Sequence, residues 1–448
     1  MLIDESSGQK ALPDARWSNK SNNRNIHFLR QLISEMIARL IEPSFLCGIP
    51  TPYYTESHIK FQKALRKYLD SEVLPRVDEW AEKKAYPHHV HEALYELGAQ
   101  QAVFRVPEQF GGPSPGRFDS FHELIVWSEL ARVSLNSVTF MMGIDSMALP
   151  PITNYGPDHL KRIILPEVVR GRMHVALAIS EGTAGSDVAN IRTSAVKSAD
   201  GTNFIINGQK KWISGGNVCS YITCVVRTKE GAGGKGISVI VVPRDTPGVS
   251  VKQMKMQFDS VMWTSIVEFD NVHVPIENLI GTENDGLRII LSNFAHERFV
   301  IAVSAASCAR RCLELSIKHS LKRKTFGKRL MDHQMIRFKL AEMARTIEAM
   351  QTQIEHCAYV LDHHDKVDSK AVGEICALAK VNCTKGFEYC AREASQIFGG
   401  SALVRDGIGK EVEAFYRTVR AHAIPGGSEE ILLDLAIKSA TNFKPSKL

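Results

Sequence analysis

Tyr221-Ile222-Thr223-Cys224-Val225-Val226 and Ile237-Ser238-Val239-Ile240-Val241-Val242 are two almost unbroken β-branched runs, parted by a Gly- and Lys-rich stretch. Each is too short for a helix and too rich in Val and Ile for one, so both read as well-buried strands. Phe204-Ile205-Ile206 lies before them and Ser265-Ile266-Val267-Glu268-Phe269 after, with Gly, Asn, Asp and Pro turns between. Residues from about 173 to 280 therefore read as a small β sandwich or barrel.

On both sides of this block the period changes from two to about 3.6. Upstream, Phe61/Leu65/Leu69, Leu94/Leu97 and Leu124/Trp127/Leu130 recur at helical spacing, punctuated at Phe110-Gly111-Gly112-Pro113 and Leu149-Pro150-Pro151. Downstream, helical spacing runs from Leu287 to Ala440, broken at Gly327, Gly399-Gly400, Gly407 and Pro425-Gly426-Gly427. The expected class is α+β. Its parts are an N-terminal extension (1–53), a helical domain (54–172), a β domain (173–280), a second helical domain (281–440) and a tail (441–448). Apolar side chains at helical spacing between 26 and 41 add one further expected helix.

With 448 residues, 44% hydrophobic and 23% charged, the chain has the composition of an ordinary globular protein of two or three domains. The net charge of +6, from 55 basic and 49 acidic residues, is spread too thinly for nucleic-acid binding but favours an anionic small-molecule substrate. The nine cysteines include no Cys-x-x-Cys pair, which suggests free thiols in a reducing compartment and offers no metal set. No apolar run approaches the roughly 18 residues of a membrane span. Acids within residues 1–52 (Asp4, Glu5, Asp14, Glu35, Glu42) argue against a transit peptide, whereas Ser446-Lys447-Leu448 matches a peroxisomal address.

Three places carry residues suited to chemistry. Gly182, Ala184 and Gly185, in Ser180-Glu181-Gly182-Thr183-Ala184-Gly185-Ser186-Asp187, would let backbone approach a flat ligand. Arg323 precedes Thr325-Phe326-Gly327 in a Lys/Arg-dense stretch, and an arginine fork matches pyrophosphate oxygens. Glu297 opens a long helical pattern between apolar neighbours, Phe294 on one side and Phe299-Val300-Ile301 on the other. Burial there would raise its pKa towards that of a general base.

Taken in order, Ser180 to Asp187, Lys211-Trp212-Ile213-Ser214-Gly215-Gly216, Arg323 to Gly327 and Gln396-Ile397-Phe398-Gly399-Gly400 resemble the flavin segments of the acyl-CoA dehydrogenase family. The resemblance covers about residues 55–440 and implies that family's fold: an N-terminal helical domain, a β-barrel or sandwich, and a C-terminal four-helix bundle. It implies FAD, with Leu177, Ile179, Ser180 and Ser186 at the isoalloxazine, Trp212 and Ile213 over the ring, and Ser214 towards N5. Arg323, Thr325, Gln334 and Gln396 to Gly400 would grip the FAD of a neighbouring subunit, and Ser428 and Glu430 would add contacts. That implies a homo-oligomer, tetramer or dimer.

The family's usual base lies in a Glu-Gly-Thr motif, but here Pro425-Gly426-Gly427-Ser428 occupies that place. In the isovaleryl and long-chain branches the base lies on the earlier helix, which here is Glu297. Ser186, Arg298 and Gly426 would meet the acyl-CoA, and the missing side chain at 426 suggests a pocket widened for branched or longer chains. Gly182-Thr183 replaces the family's Pro-Gly, which suggests a looser loop. The implied reaction is dehydrogenation of an acyl-CoA to its trans-2-enoyl-CoA. An oxidase passing electrons to O₂ and a catalytically silent flavin scaffold are the alternatives, and the acceptor stays open between a flavoprotein and O₂. The chain is also similar to fungal members of the family, some of which accompany secondary-metabolite or toxin clusters.

Overall fold

A computed structural model describes residues 39–83, 87–133, 137–231, 233–258 and 264–441. Most of the helix expected at 26–41, and Ser446-Lys447-Leu448, lie outside the described residues. The chain divides between Pro50 and Thr51 into two units. In the first, Ser44–Cys47 forms a single 3₁₀ turn that buries Phe45.

The second unit begins with seven helices: α1 (Glu56–Tyr68), α2 (Val77–Lys83), α3 (His88–Glu96), α4 (Ala99–Phe104), α5 (Ser120–Arg132), α6 (Ser137–Tyr155) and α7 (Asp158–Val169). Helix α5 is buried almost all round, with Leu124, Ile125, Val126, Trp127 and Leu130 at 1% exposure or less. Asp119 caps it, accepting from the Phe121 and His122 N–H groups at 3.1 and 3.0 Å. The same carboxylate meets His122 Nδ1 at 2.8 Å and His58 Nε2 at 2.9 Å, which ties α1 to the start of α5. Burial works against ionisation of Asp119, but the two imidazoles hold its pKa well below the usual carboxylate range.

Eight strands follow: β1 (Val175–Ala178), β2 (Ser194–Lys197), β3 (Asn203–Ile213), β4 (Tyr221–Arg227), β5 (Ile237–Pro243), β6 (Val249–Gln253), β7 (Ser265–Pro275) and β8 (Leu279–Ile280). They form one sheet in the order β6-β7-β3-β2-β4-β5-β8, and β1 pairs in parallel with β4. Val251 on β6 and Ile240 on β5 stand near opposite ends of that order yet pack into the same apolar core, so the sheet curls around it. The other face of β4 is covered by α6, where Thr223 Oγ1 donates to the Ala148 carbonyl at 3.0 Å. Burial on both faces explains why β4 and β5 read as unbroken apolar runs rather than alternating ones.

The remaining elements are α8 (Gly286–Leu291), α9 (Phe294–Lys322), a two-strand hairpin of β9 (Lys324–Thr325) and β10 (Lys328–Arg329), α10 (Gln334–Asp362), α11 (Ser369–Phe398), α12 (Lys410–Ala423) and α13 (Glu429–Ala440). Helix α9 is the axis of this part, packed against α10 and α11 and, across the chain, against α5. Its midsection from Phe299 to Ala306 is buried throughout. Among the described residues no helix is long and apolar enough to cross a membrane.

Candidate functional site

Ser180 to Asp187 leaves β1 as a tight turn closed by the Glu181 N–H to the Ala184 carbonyl at 2.9 Å and by the reverse bond at 3.3 Å. The Glu181 carboxylate, 4% exposed, accepts from the Arg192 and Thr193 N–H groups at 2.7 and 2.9 Å and from Lys210 Nζ at 2.9 Å. Lys210 Nζ also donates to the Ile179 carbonyl at 2.9 Å, and the Lys211 N–H to the Ser180 carbonyl at 2.9 Å. The loop is therefore latched despite Gly182-Thr183, contrary to the looser loop expected. Those bonds also fasten it to the end of β3, bringing Ile179, Ser180 and Trp212 side by side. Leu177 is half-buried on β1, and Ser186 is exposed beyond the turn.

Trp212 stands in the left-handed region at φ 62 and remains 45% exposed. Neither is comfortable for a large aromatic, so the surrounding chain imposes both. Ile213 behind it is buried, and Ser214 Oγ lies 3.5 Å from Thr264 Oγ1. The turn at Gly215, φ 74, sits against Ile144 and Met141 of α6, within 3.4–3.5 Å of where a Cβ would stand.

Glu297 is in the first turn of α9 and 6% exposed. Burial pushes its carboxyl up to about 7, opposed by a hydrogen bond from Asn293 Nδ2 at 3.1 Å and by the charges of His296 and Arg298. Glu429, the first acid after the Gly426 loop, instead faces Lys385 and Arg420, each at 3.7 Å. Glu430 is exposed, and its own N–H and the Ser428 hydroxyl lower its pKa. Ser428 caps α13 by accepting from the Ile431 N–H at 3.5 Å.

The loop joining α12 to α13 lies against the same stretch of α9. Arg298 Nε donates to the Gly426 carbonyl at 3.2 Å, and the guanidinium is buried. Gly426 is at φ 69, and a Cβ there would come within 2.8 Å of Ile301 Cδ1, one turn beyond Glu297. This corrects the expectation of a widened pocket: Ile301 occupies the room that a side chain at 426 would take. Lys380 of α11, fully buried, holds the loop from beneath through the Ala423 carbonyl and, at 2.8 Å, the Gly427 carbonyl. Burial lowers its pKa to about 8. Sequence reasoning missed Lys380, although a lysine set within Ala377-Leu378-Ala379-Lys380-Val381 was the available signal.

The segments expected to meet a dinucleotide tail gather at the far end of α9. Arg323 is exposed at its C-terminus, and Phe326 (φ 50, 96% exposed) and Gly327 (φ 75) make the hairpin turn that follows. Thr325 Oγ1 meets His333 Nε2 at 3.3 Å, beside Gln334 at the start of α10. His319, one turn before Arg323, stacks on Phe398 with ring centroids 4.2 Å apart, which places Gln396 to Gly400 next to Arg323. Gln396, Gly399 and Gly400 are exposed, whereas Ile397 and Phe398 are buried.

Comparison with known proteins gives one consistent answer. Family models for the N-terminal, middle and C-terminal domains of acyl-CoA dehydrogenase match residues 55–172, 176–272 and 284–441. Acyl-CoA dehydrogenase apdG of Emericella nidulans is 38% identical over 412 residues, covering 89% of this chain and 94% of that one. Acyl-CoA dehydrogenase AFT10-1 of Alternaria alternata is 36% identical over 397 residues, covering 86% and 91%. The crystal structure of acyl-CoA dehydrogenase from Geobacillus kaustophilus superposes with a TM-score of 0.79 at 29% identity, over 87% of this chain and 100% of that chain.

Proposed function

We propose that this chain, which belongs to the acyl-CoA dehydrogenase family of FAD-dependent oxidoreductases, takes the α-proton of an acyl-CoA on Glu297 and yields the trans-2-enoyl-CoA. The observation that carries this reading is a buried carboxylate pushed up to about 7, hydrogen-bonded by Asn293 Nδ2 and one turn from Ile301, which faces Gly426. A base of that strength is partly ionised at neutral pH and binds a proton far better than an exposed glutamate.

The residues present suit FAD. The latched Ser180–Ser186 turn, the half-exposed Trp212 indole and Ser214 offer a flat apolar platform with a hydroxyl at its edge. Arg323, Thr325, Gln334 and the Gln396–Gly400 segment offer a cation and polar groups at a second place, beyond the C-terminal end of α9. When bound, FAD supplies the acceptor for the hydride that leaves the β-carbon. The chain's own part is to hold and deprotonate the thioester. Arg298 and Lys380 fix the Gly426 loop, whose backbone N–H groups would meet the thioester carbonyl and favour its enolate. Ser186, on the exposed side of the turn, would touch the acyl-CoA.

The test is anaerobic bleaching of the purified holoenzyme's flavin by a panel of straight and branched acyl-CoAs. Wild type should bleach with some of them and Glu297→Gln should bleach slowly. Prompt bleaching of both would reject the assignment of the base, and no bleaching by any would support a silent scaffold. Peroxide release during turnover in air would identify O₂ as the acceptor. The split of cofactor-suited residues between two places, together with exposed Phe326, Leu403, Ile408 and Ile424, supports a homo-oligomer in which subunits share FAD sites. The peroxisome is proposed from Ser446-Lys447-Leu448; deleting them should disperse the puncta of an N-terminally tagged fusion.

A further inference from the structure

Helix α9 begins without the support a helix start usually has. Asn293 occupies its N-cap in helical rather than extended backbone and makes no side-chain capping bond, while its Nδ2 donates to Glu297. The first turn therefore carries the base with its early N–H groups uncapped. A contact from a distant helix takes over the fastening. His296 Nε2 lies 2.6 Å from Oε1 of Glu123, a carboxylate on α5 with no exposed surface. The same Glu123 accepts from Trp127 Nε1 at 3.2 Å and from Arg105 at 3.3 Å, and Arg105 is itself held by Ser120 Oγ at 2.7 Å.

Burial alone would raise the Glu123 carboxyl, but His296, Arg105 and Trp127 bring it below its ordinary value, so it stays an anion inside the protein. An anion that costly to bury is expected to hold something in place. What it holds back is visible next to it. A cavity of about 420 Å³, open to solvent, is lined by Asn293 and His296 of α9, Arg105, Thr153 and Asn154 of the N-terminal helices, and His364. Without Glu123, the imidazole has room to swing into that space, and the uncapped turn can rotate with it.

We propose that Glu123 and His296 are positioning residues for Glu297: their bond clamps the first turn of α9 to α5 and keeps the neighbouring carboxylate aimed at the acyl α-carbon. This rests on Glu297 being the base. Misplacement of a reacting group by about 1 Å can cost on the order of a hundredfold in rate. The charge of His296 also favours the ionised form of Glu297, so the pair reaches the base electrostatically as well as sterically. The groups facing it are His296 and Arg298 on its own helix. Behind His296 stand Glu123, Arg105 and His364, and Lys380 lies on the side of Arg298.

The experiment compares anaerobic flavin reduction by a reactive acyl-CoA, across pH, in holoenzyme carrying Glu123→Leu, Glu123→Gln, His296→Gln or Glu297→Gln. Glu123→Leu should slow reduction about tenfold to a hundredfold at unchanged FAD content. Glu123→Gln keeps an acceptor for the imidazole and should recover most of the rate, which a merely structural contact would not require. His296→Gln should move the midpoint of the rate profile to higher pH. A wild-type rate in Glu123→Leu, or equal losses in the Leu and Gln variants, overturns the clamp while Glu297→Gln remains slow. If Glu123→Leu fails to accumulate as holoenzyme, His296→Gln decides, and an unmoved pH midpoint overturns the proposal. A wild-type rate in Glu297→Gln removes the base itself, and the clamp with it.

Discussion

Replacing Glu297 by Gln should make the protein slower and more stable at once, and the stability gain should grow with pH. The carboxyl has an ordinary value of 4.5 and is pushed up to about 7 by burial in the first turn of α9. At ~1.4 kcal/mol per pH unit, that gap amounts to about 3 kcal/mol. The sign follows from the folded state holding its proton more tightly than the unfolded one. The associated stability is complete below 4.5 and is lost as pH rises through about 7, where folded protein must ionise a buried acid. Gln carries no such cost. For a chain of 448 residues, about 3 kcal/mol corresponds to about 3 °C in Tm. The Gln variant should therefore melt about 3 °C above wild type at pH 8.5, and only about 1 °C above it at pH 5.5. Scanning calorimetry on both holoenzymes at matched FAD saturation reads this. In stopped flow, wild-type flavin reduction should rise with pH through about 7, and the variant should be about 10²–10⁴-fold slower. A Tm difference that is flat across pH would mean that the carboxyl does not ionise near neutrality, and would refute the reasoning even if the variant were inactive.

Lys380→Met should leave the Ala423 and Gly427 carbonyls buried without their donor, costing about 2–4 kcal/mol and loosening the Gly426 loop; denaturation and acyl-CoA titration would read the two effects. Gly426→Glu in the Glu297→Gln background should not restore flavin reduction, because φ 69 and Ile301 Cδ1 at 2.8 Å both oppose a side chain there. Adding Ile301→Val removes that methyl and should recover part of the rate; recovery by Gly426→Glu alone would show that the loop moves freely. Trp212→Ala should fold normally, since the indole is 45% exposed, but retain FAD about tenfold less tightly in equilibrium dialysis.

Much of the fold was legible because its signals are local. The unbroken Val and Ile runs of β4 and β5 follow from burial on both faces, and helices such as α12 follow from one buried stripe. The hairpin at Lys324–Arg329 was not legible, since two-residue strands carry no period and Phe326-Gly327 reads only as a break. The candidate base was legible from two signals together: the apolar neighbours of Glu297 on α9, and the family resemblance, which puts glycine at 426 where an acid is usual. Its support was not. Glu123 and His296 are 173 residues apart in sequence, and Lys380 reaches carbonyls 43 and 47 residues away, so no window of sequence contains either relation.

The place of the carboxylate is a property of three positions rather than one. Glu297 and Ile301 share a face of α9, and Ile301 fills the volume beside residue 426. Gly426 in turn needs its left-handed backbone to bring its carbonyl to Arg298 Nε. With a branched side chain at 301, glycine at 426 relieves both the contact and the strain. An acid at 426 would require a smaller residue at 301 and a different path for the loop that Arg298 and Lys380 now hold. The glycine is thus the counterpart of the branched side chain on the helix, and placing an acid at 426 without changing residue 301 should cost stability.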